Sequence, residues 1–122
     1  SLNFVYTNAQ LLIEVLVNLV ENSIKHTKEN TTISITYKVT KQNVIFNVID
    51  NGGGIKNKNK EQIFDDFYSL TSKQDRYTNT GLGLSICRAI VEAHGGKISA
   101  INNDLGGATI IFNIPNRGVK NE

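Results

Sequence analysis

The stretch from Thr31 to Asp50 constrains this chain more than any other. Ile33, Ile35, Tyr37 and Val39 alternate strictly with polar residues, the period-2 pattern of a strand buried on one face. Lys41-Gln42-Asn43 forms a turn, and Val44 to Asp50 returns with apolar residues at nearly every position, so it reads as the more deeply buried strand. The hairpin's apolar face requires a second layer.

Two amphipathic helices are available for that layer. The first runs from about Asn8 to Thr27, with Thr7 or Asn8 as N-cap. Leu12, Val15, Leu16, Leu19, Val20 and Ile24 keep helical spacing, while Glu14, Asn18, Asn22 and Lys25 gather on the opposite side. The second runs from about Gly81 to His94, with Leu82, Ile86, Ala89, Ile90 and Ala93 as its stripe and Gly95-Gly96 as its stop. Residues 3–6, 97–101 and 108–114 read as further strands, the last two joined by a turn around Asn103 to Gly106. Between Asn51-Gly52-Gly53-Gly54 and the second helix lies a polar segment, rich in Lys and Asn over 56–60, with a short helix candidate from Glu61 to Tyr68. The order β-α-β-β-(variable segment)-α-β-β predicts an α+β fold: a two-layer α/β sandwich, its mixed, mostly antiparallel sheet carrying helices on one face, as a single domain over 1–122.

Composition narrows the functional classes. At 122 residues, 39% hydrophobic, the chain can bury a core without a disulfide. Its single cysteine, Cys87, excludes a disulfide framework or a cysteine-based metal cluster and reads as a small apolar residue on a helix. A net charge of +2 gives no nucleic-acid or membrane footprint. No uncharged stretch approaches the roughly 18 residues of a membrane span. Ser1-Leu2-Asn3 opens no signal-peptide pattern, and Met is absent even at position 1, so the chain reads as a piece of a longer protein.

Three segments are suited to chemistry. Asn18 and Asn22 lie four apart, so their carboxamides project side by side and suit a hard cation carrying phosphates, with Lys25 one turn on as a point charge. The same pattern also fits an ordinary solvated helix face. Asp50 ends a buried strand just before three glycines, which lets backbone approach a flat ligand while the carboxylate accepts from an exocyclic amine. A simple Asn-Gly turn would look similar. Thr80-Gly81-Leu82-Gly83-Leu84 opens a helix, where exposed amides and the dipole favour anions. That loop matches neither the Walker pattern nor the Rossmann pattern.

Taken together and in order, these segments resemble the histidine kinase catalytic domain of the GHKL (gyrase, Hsp90, histidine kinase, MutL) ATP-binding superfamily. Leu16 to Thr27 looks like its N box, Asp50 to Ile55 its G1 box, Ile63 to Tyr68 its F box and Thr80 to Leu84 its G2 box. Gly107-Ala108-Thr109 with Phe112 and Pro115 looks like the closing strand. Gly81 to Ile98, with Ala100, Asn102 and Gly106-Gly107-Ala108, is further similar to the potassium-responsive sensor kinases of that family.

The resemblance implies the Bergerat ATP-binding fold, ATP and Mg²⁺ as cofactors, and specific roles. Asn22 would ligate the metal with Asn18 beside it, Lys25 would meet the phosphates, and His26 would lie against the nucleotide. Asp50 would take the adenine amino group, supported through water by Thr109. Gly52 and Gly54 would shape the adenine wall, and Ile55 would belong to the nucleotide site. Phe64 and Phe67 of the F box would belong to the nucleotide site. Thr80, Gly81, Leu82, Gly83 and Leu84 would face the phosphates, and residues 55–80 would form the ATP lid. Partners would be a histidine-bearing dimerisation domain of the same kinase and a response regulator, with no nucleic acid and no direct membrane contact. The domain would be cytoplasmic, in a parent kinase anchored at the membrane.

Departures from the family pattern fall at Asn79, where a glycine is usual, and at Ser69, where a basic residue is common and Lys73 or Arg76 would substitute. Neither His26 nor His94 sits in a phospho-acceptor motif, so the chain is expected to bind ATP without phosphorylating itself. A dimer-clamp ATPase of the gyrase or Hsp90 kind would need a glutamate base four residues before the metal asparagine; Asn18 stands there. A degenerate, binding-only module is a second alternative, with Asn79 as its support, and a sigma-factor-restraining serine kinase that acts on a partner protein is a third, against which the F box argues.

Overall fold

The computed structural model describes residues 9–27, 29–56, 60–65 and 83–115. In chain order the elements are α1 (Ala9–His26), β1 (Ile33–Val39), β2 (Asn43–Asp50), a 3₁₀ turn (Lys60–Phe64), α2 (Gly83–Ala93), β3 (Ile98–Asn102) and β4 (Ala108–Pro115). The strands form one sheet in the order β1-β2-β4-β3, and every described pairing is antiparallel. Any parallel pairing by residues 3–6 lies outside the described residues.

Register places Val44, Val48 and Asp50 of β2 on the same face as Ile110, Phe112 and Ile114 of β4 and Ile98 and Ala100 of β3. Both helices cover that face. Val15 and Leu19 of α1 and Cys87 and Val91 of α2 are fully buried against it. Phe46 and Phe112 stack across β2 and β4 with ring centroids 4.9 Å apart, an offset contact that adds to their area burial.

Helix ends are closed locally. Lys25 and His26 occupy the last turn of α1, where cations suit the dipole. Thr27 Oγ1 donates to the Ser23 carbonyl at 2.6 Å, satisfying one of the orphan acceptors there. α2 ends in a Schellman motif: Gly96 N–H donates to Val91 O, Gly95 N–H donates to Glu92 O, and Gly95 takes φ +84. His94 Nδ1 lies 2.8 Å from the Ile90 carbonyl, so that nitrogen carries the proton.

Three expectations change. Ile24 was expected on the buried stripe of α1, but it is 61% exposed and Ser23 takes the inward position. With 100° per residue, Ile24 falls opposite Val15, beside exposed Ile13 and Val17. The asparagines therefore flank the buried face rather than opposing it. On β1, Ile35 and Tyr37 are largely exposed despite their alternation. β1 is the edge strand next to β2, and α1 packs over β2. The short helix expected over 61–68 is 3₁₀ in its described part, and its residues 66–68 lie outside the described residues.

Candidate functional site

A pocket of about 200 Å³ opens where α1, the loop after β2, the start of α2 and the start of β4 meet. The C-terminal half of α1 lines one side with Asn18, Asn22, Lys25 and His26, together with Glu21 and Ser23. Asn18 and Asn22 are half-buried neighbours on adjacent turns. Asn18 also acts on the helix contact below it, where its side chain lowers the pKa of the Cys87 thiol. Burial pushes the Cys87 thiol from 9.0 up to about 12, with the Glu14 charge adding to the rise and the Asn18 hydrogen bond opposing it. The thiol donates to Val15 O at 3.6 Å and is inert packing, as expected from sequence.

The other end of the pocket is built from backbone. Asp50 is 7% exposed. Its Oδ1 accepts from Gly52 N–H at 3.0 Å and Ala108 N–H at 3.2 Å, while Oδ2 takes no hydrogen bond among the described residues. Those bonds fix the plane of the carboxylate. Glycines make this arrangement possible. A Cβ at Gly107 would collide with the Asp50 carbonyl and lie 2.5 Å from Asp50 Oδ1. One at Gly52 would lie 2.5 Å from Thr27 Cγ2. Gly54, at φ +73, is pressed against Asn102, whose Oδ1 accepts from Ile55 N–H at 2.7 Å and whose Nδ2 donates to Ile55 O at 3.1 Å.

The structure gathers Asn18, Asn22, Lys25, His26, Asp50, Gly52, Gly54, Ile55, Gly83 and Leu84 around this one pocket. Two expected residues do not belong to it. Phe64 is fully buried in the hydrophobic core, and its neighbour Ile63 lines the pocket instead. Thr109 is buried but points away from the pocket, because alternation along β4 gives the pocket side to Ala108 and Ile110. Its Oγ1 accepts from Asn103 Nδ2 at 3.1 Å. Phe67, Lys73, Arg76, Asn79, Thr80, Gly81 and Leu82 lie outside the described residues.

Sequence reasoning missed Ser23, Ile63, Ala108 and Ile110 as lining residues. Ser23 could have been found: it is the polar residue at an inward helical phase. Among the described residues no three His, Cys, Asp or Glu side chains converge as a metal cluster. The donors opposite Asp50 are carboxamides, too few to hold a cation without further ligands from phosphate and water.

This arrangement has close counterparts. Residues 7–118 match the family described as histidine kinase-, DNA gyrase B- and HSP90-like ATPase. The chain belongs to that family. It is 44% identical over 109 residues to the sensor protein KdpD of Clostridium acetobutylicum, covering 88% of this chain and 12% of that protein. It is 40% identical over 112 residues to the adaptive-response sensory kinase SasA of a Nostoc species, covering 91% of this chain and 28% of that protein. The chain thus spans only a small part of these relatives, and the likeness to the potassium-responsive kinases stands beside a similar one to SasA.

Among solved structures, the catalytic domain of histidine kinase ThkA superposes with a TM-score of 0.78 at 41% identity, covering 90% of this chain and 69% of that one. Full-length ShkA in complex with AMPPNP gives 0.80 at 25% identity, covering 97% and 24%. ThkA in complex with the response regulator TrrA gives 0.69 at 40% identity, covering 89% and 29%. The α+β architecture is that of histidine kinase ATP-binding domains. No described helix is long and apolar enough to cross a membrane.

Proposed function

We propose that this chain binds Mg·ATP in the pocket and serves as the catalytic domain of a two-component sensor histidine kinase, presenting the γ-phosphoryl group to a histidine on a separate dimerisation domain. One observation carries this reading: a carboxylate held by two backbone amides and a carboxamide pair line the same pocket, within the fold of this family.

Asp50 accepts the exocyclic amine of adenine through the oxygen that the backbone leaves open. Gly52 and Gly54 let the base approach the loop, and Ile55 and Ile63 give it an apolar wall. The His26 ring lies along the nucleotide. Lys25 neutralises phosphate charge, and the amides of Gly83 and Leu84 at the start of α2 face the phosphates with the helix dipole behind them. Asn22, with Asn18, fits a hard cation bound chiefly to phosphate and water. When bound, Mg²⁺ supplies charge neutralisation at the transferring group. The chain's own contribution is positioning and electrostatics.

Thr80, Gly81 and Leu82 extend the phosphate-facing loop in this proposal, Phe67 and Lys73 or Arg76 belong to the segment over the nucleotide, and residues 55–80 act as its lid. The partners are the dimerisation domain and a response regulator, and for the response regulator the ThkA–TrrA complex gives support by analogy. The domain acts in the cytoplasm as part of a membrane-anchored parent.

The test is phosphoryl transfer. Given labelled Mg·ATP and the parent's histidine-bearing domain, the wild-type chain should label that domain and Asn22→Ala should not. Equal labelling by both would refute the metal role of Asn22, and no labelling by wild type would refute the kinase reading.

A further inference from the structure

Asn103 stands at the tip of the β3–β4 hairpin, and its side chain reaches further than a turn requires. Its Oδ1 accepts from Leu105 N–H at 2.9 Å and Gly107 N–H at 3.1 Å, which closes the turn. An oxygen alone accomplishes that, and aspartate supplies one equally well. The amide nitrogen has a different task. Nδ2 donates to the Asp50 backbone carbonyl at 2.9 Å and to Thr109 Oγ1 at 3.1 Å. Asn103 is half-buried, and both acceptors belong to buried residues, so these bonds work where water competes poorly.

Asp50 is consequently held at two points. Its Oδ1 sits on the amides of Gly52 and Ala108, and its carbonyl hangs from Asn103. Gly107 joins the two: its amide binds Asn103, and its missing side chain lets Asp50 pack against it. Loosening the carbonyl end would let β2 and β4 shift at the point where the carboxylate is aimed.

We propose that Asn103 is a positioning residue for base recognition, acting through its Nδ2 bond to the Asp50 carbonyl, with Thr109 as the second anchor of that nitrogen. The inference rests on the nucleotide reading above. It gives buried Thr109 a task other than direct support of the base, and it predicts that selectivity for the amino group of adenine depends on a residue that does not line the pocket.

The experiment compares two ligands by calorimetry: ADP and purine riboside 5′-diphosphate, which lacks the exocyclic amine. Asn103→Asp keeps the turn-closing oxygen and loses the donor. It should reduce the preference for ADP by about tenfold, the effect of roughly one lost buried hydrogen bond, while binding of the riboside diphosphate stays nearly constant. Thr109→Val, which removes only the second anchor, should reduce the preference by about two- to threefold. Equal weakening of both ligands would mark Asn103 as merely structural and overturn the proposal, as would an unchanged preference. Thermal melting of the free variant checks folding. Should Asn103→Asp fail to fold, Thr109→Val decides: a reduced preference supports the proposal and a retained one overturns it. Failure of the wild type to bind either ligand would instead overturn the nucleotide reading, and this inference with it.

Discussion

The two ends of the pocket are made of different material. The Asp50 end is backbone, glycine and buried hydrogen bonds: Gly52, Ala108 and Asn103 hold one residue from three directions. The Asn22 end is a row of side chains on a single helix, with Lys25 and His26 exposed. The first can be complete before a ligand arrives, because its donors and acceptors are fixed by the sheet. The second gains its full coordination from the ligand. Preorganisation therefore belongs to base recognition, and adaptability to the phosphate and metal end, where charge must be rearranged during transfer.

Substitutions should separate the two ends. The largest effect is expected for Gly107→Ala, since the added carbon meets Asp50 and Asn51 backbone. Urea denaturation should show a loss of about 3 kcal/mol, at the upper end of overpacking costs, with nucleotide binding abolished. Asp50→Asn keeps the shape and an oxygen acceptor for the Gly52 and Ala108 amides but loses the charge. Calorimetry should show roughly 10- to 100-fold weaker ADP binding with or without Mg²⁺.

Asn22→Ala should behave differently. Mg·ATP should bind about tenfold more weakly, ATP with a chelator should be unaffected, and stability should stay within about 0.5 kcal/mol. If both substitutions lost affinity equally with and without the metal, the division of labour between the ends would fail.

The smallest effect concerns the contact beneath Asn18. The fold holds the Cys87 thiol protonated to about 12, against 9.0 ordinarily. Above pH 9 the unfolded chain releases a proton that the folded chain retains, so stability falls as pH rises through that window. Between pH 9 and 10 the loss should reach about 1 kcal/mol. Denaturation of wild type and Cys87→Ala in parallel isolates it: the stability of wild type relative to Cys87→Ala should fall by that amount over this pH range, and a constant difference would refute the burial of the thiol.

Much of this was legible in the sequence, for identifiable reasons. The hairpin from Ile33 to Asp50 and the Gly95-Gly96 stop follow from local periodicity and backbone freedom, and both stand where expected. Asp50 and Asn22 could be picked out because a polar residue at the end of an apolar strand or beside an apolar stripe calls for explanation. What failed was phase and side. Ile24 was grouped inward with the apolar spacing of α1 although its angle points outward. Thr109, expected to support Asp50 through water, does not itself line the pocket, because the alternation that buries Ile110 and Phe112 gives that side to Ala108. Phe64 was assigned to the nucleotide, and the core claimed it. Asn103 was invisible as more than a turn residue, because its bonds to Asp50 and Thr109 exist only once β2, β3 and β4 are side by side.

The decisive experiment is a calorimetric titration of the wild-type chain with Mg·AMPPNP and, separately, with the corresponding guanosine nucleotide, Mg·GMPPNP. Guanine presents a carbonyl oxygen where adenine presents its amine, so a fixed Asp50 carboxylate should reject it. Saturable binding of the adenosine nucleotide, with the guanosine nucleotide at least about tenfold weaker, is the expected result. Equal affinities, or no heat from either nucleotide at millimolar concentration, would contradict a preformed adenine site at Asp50.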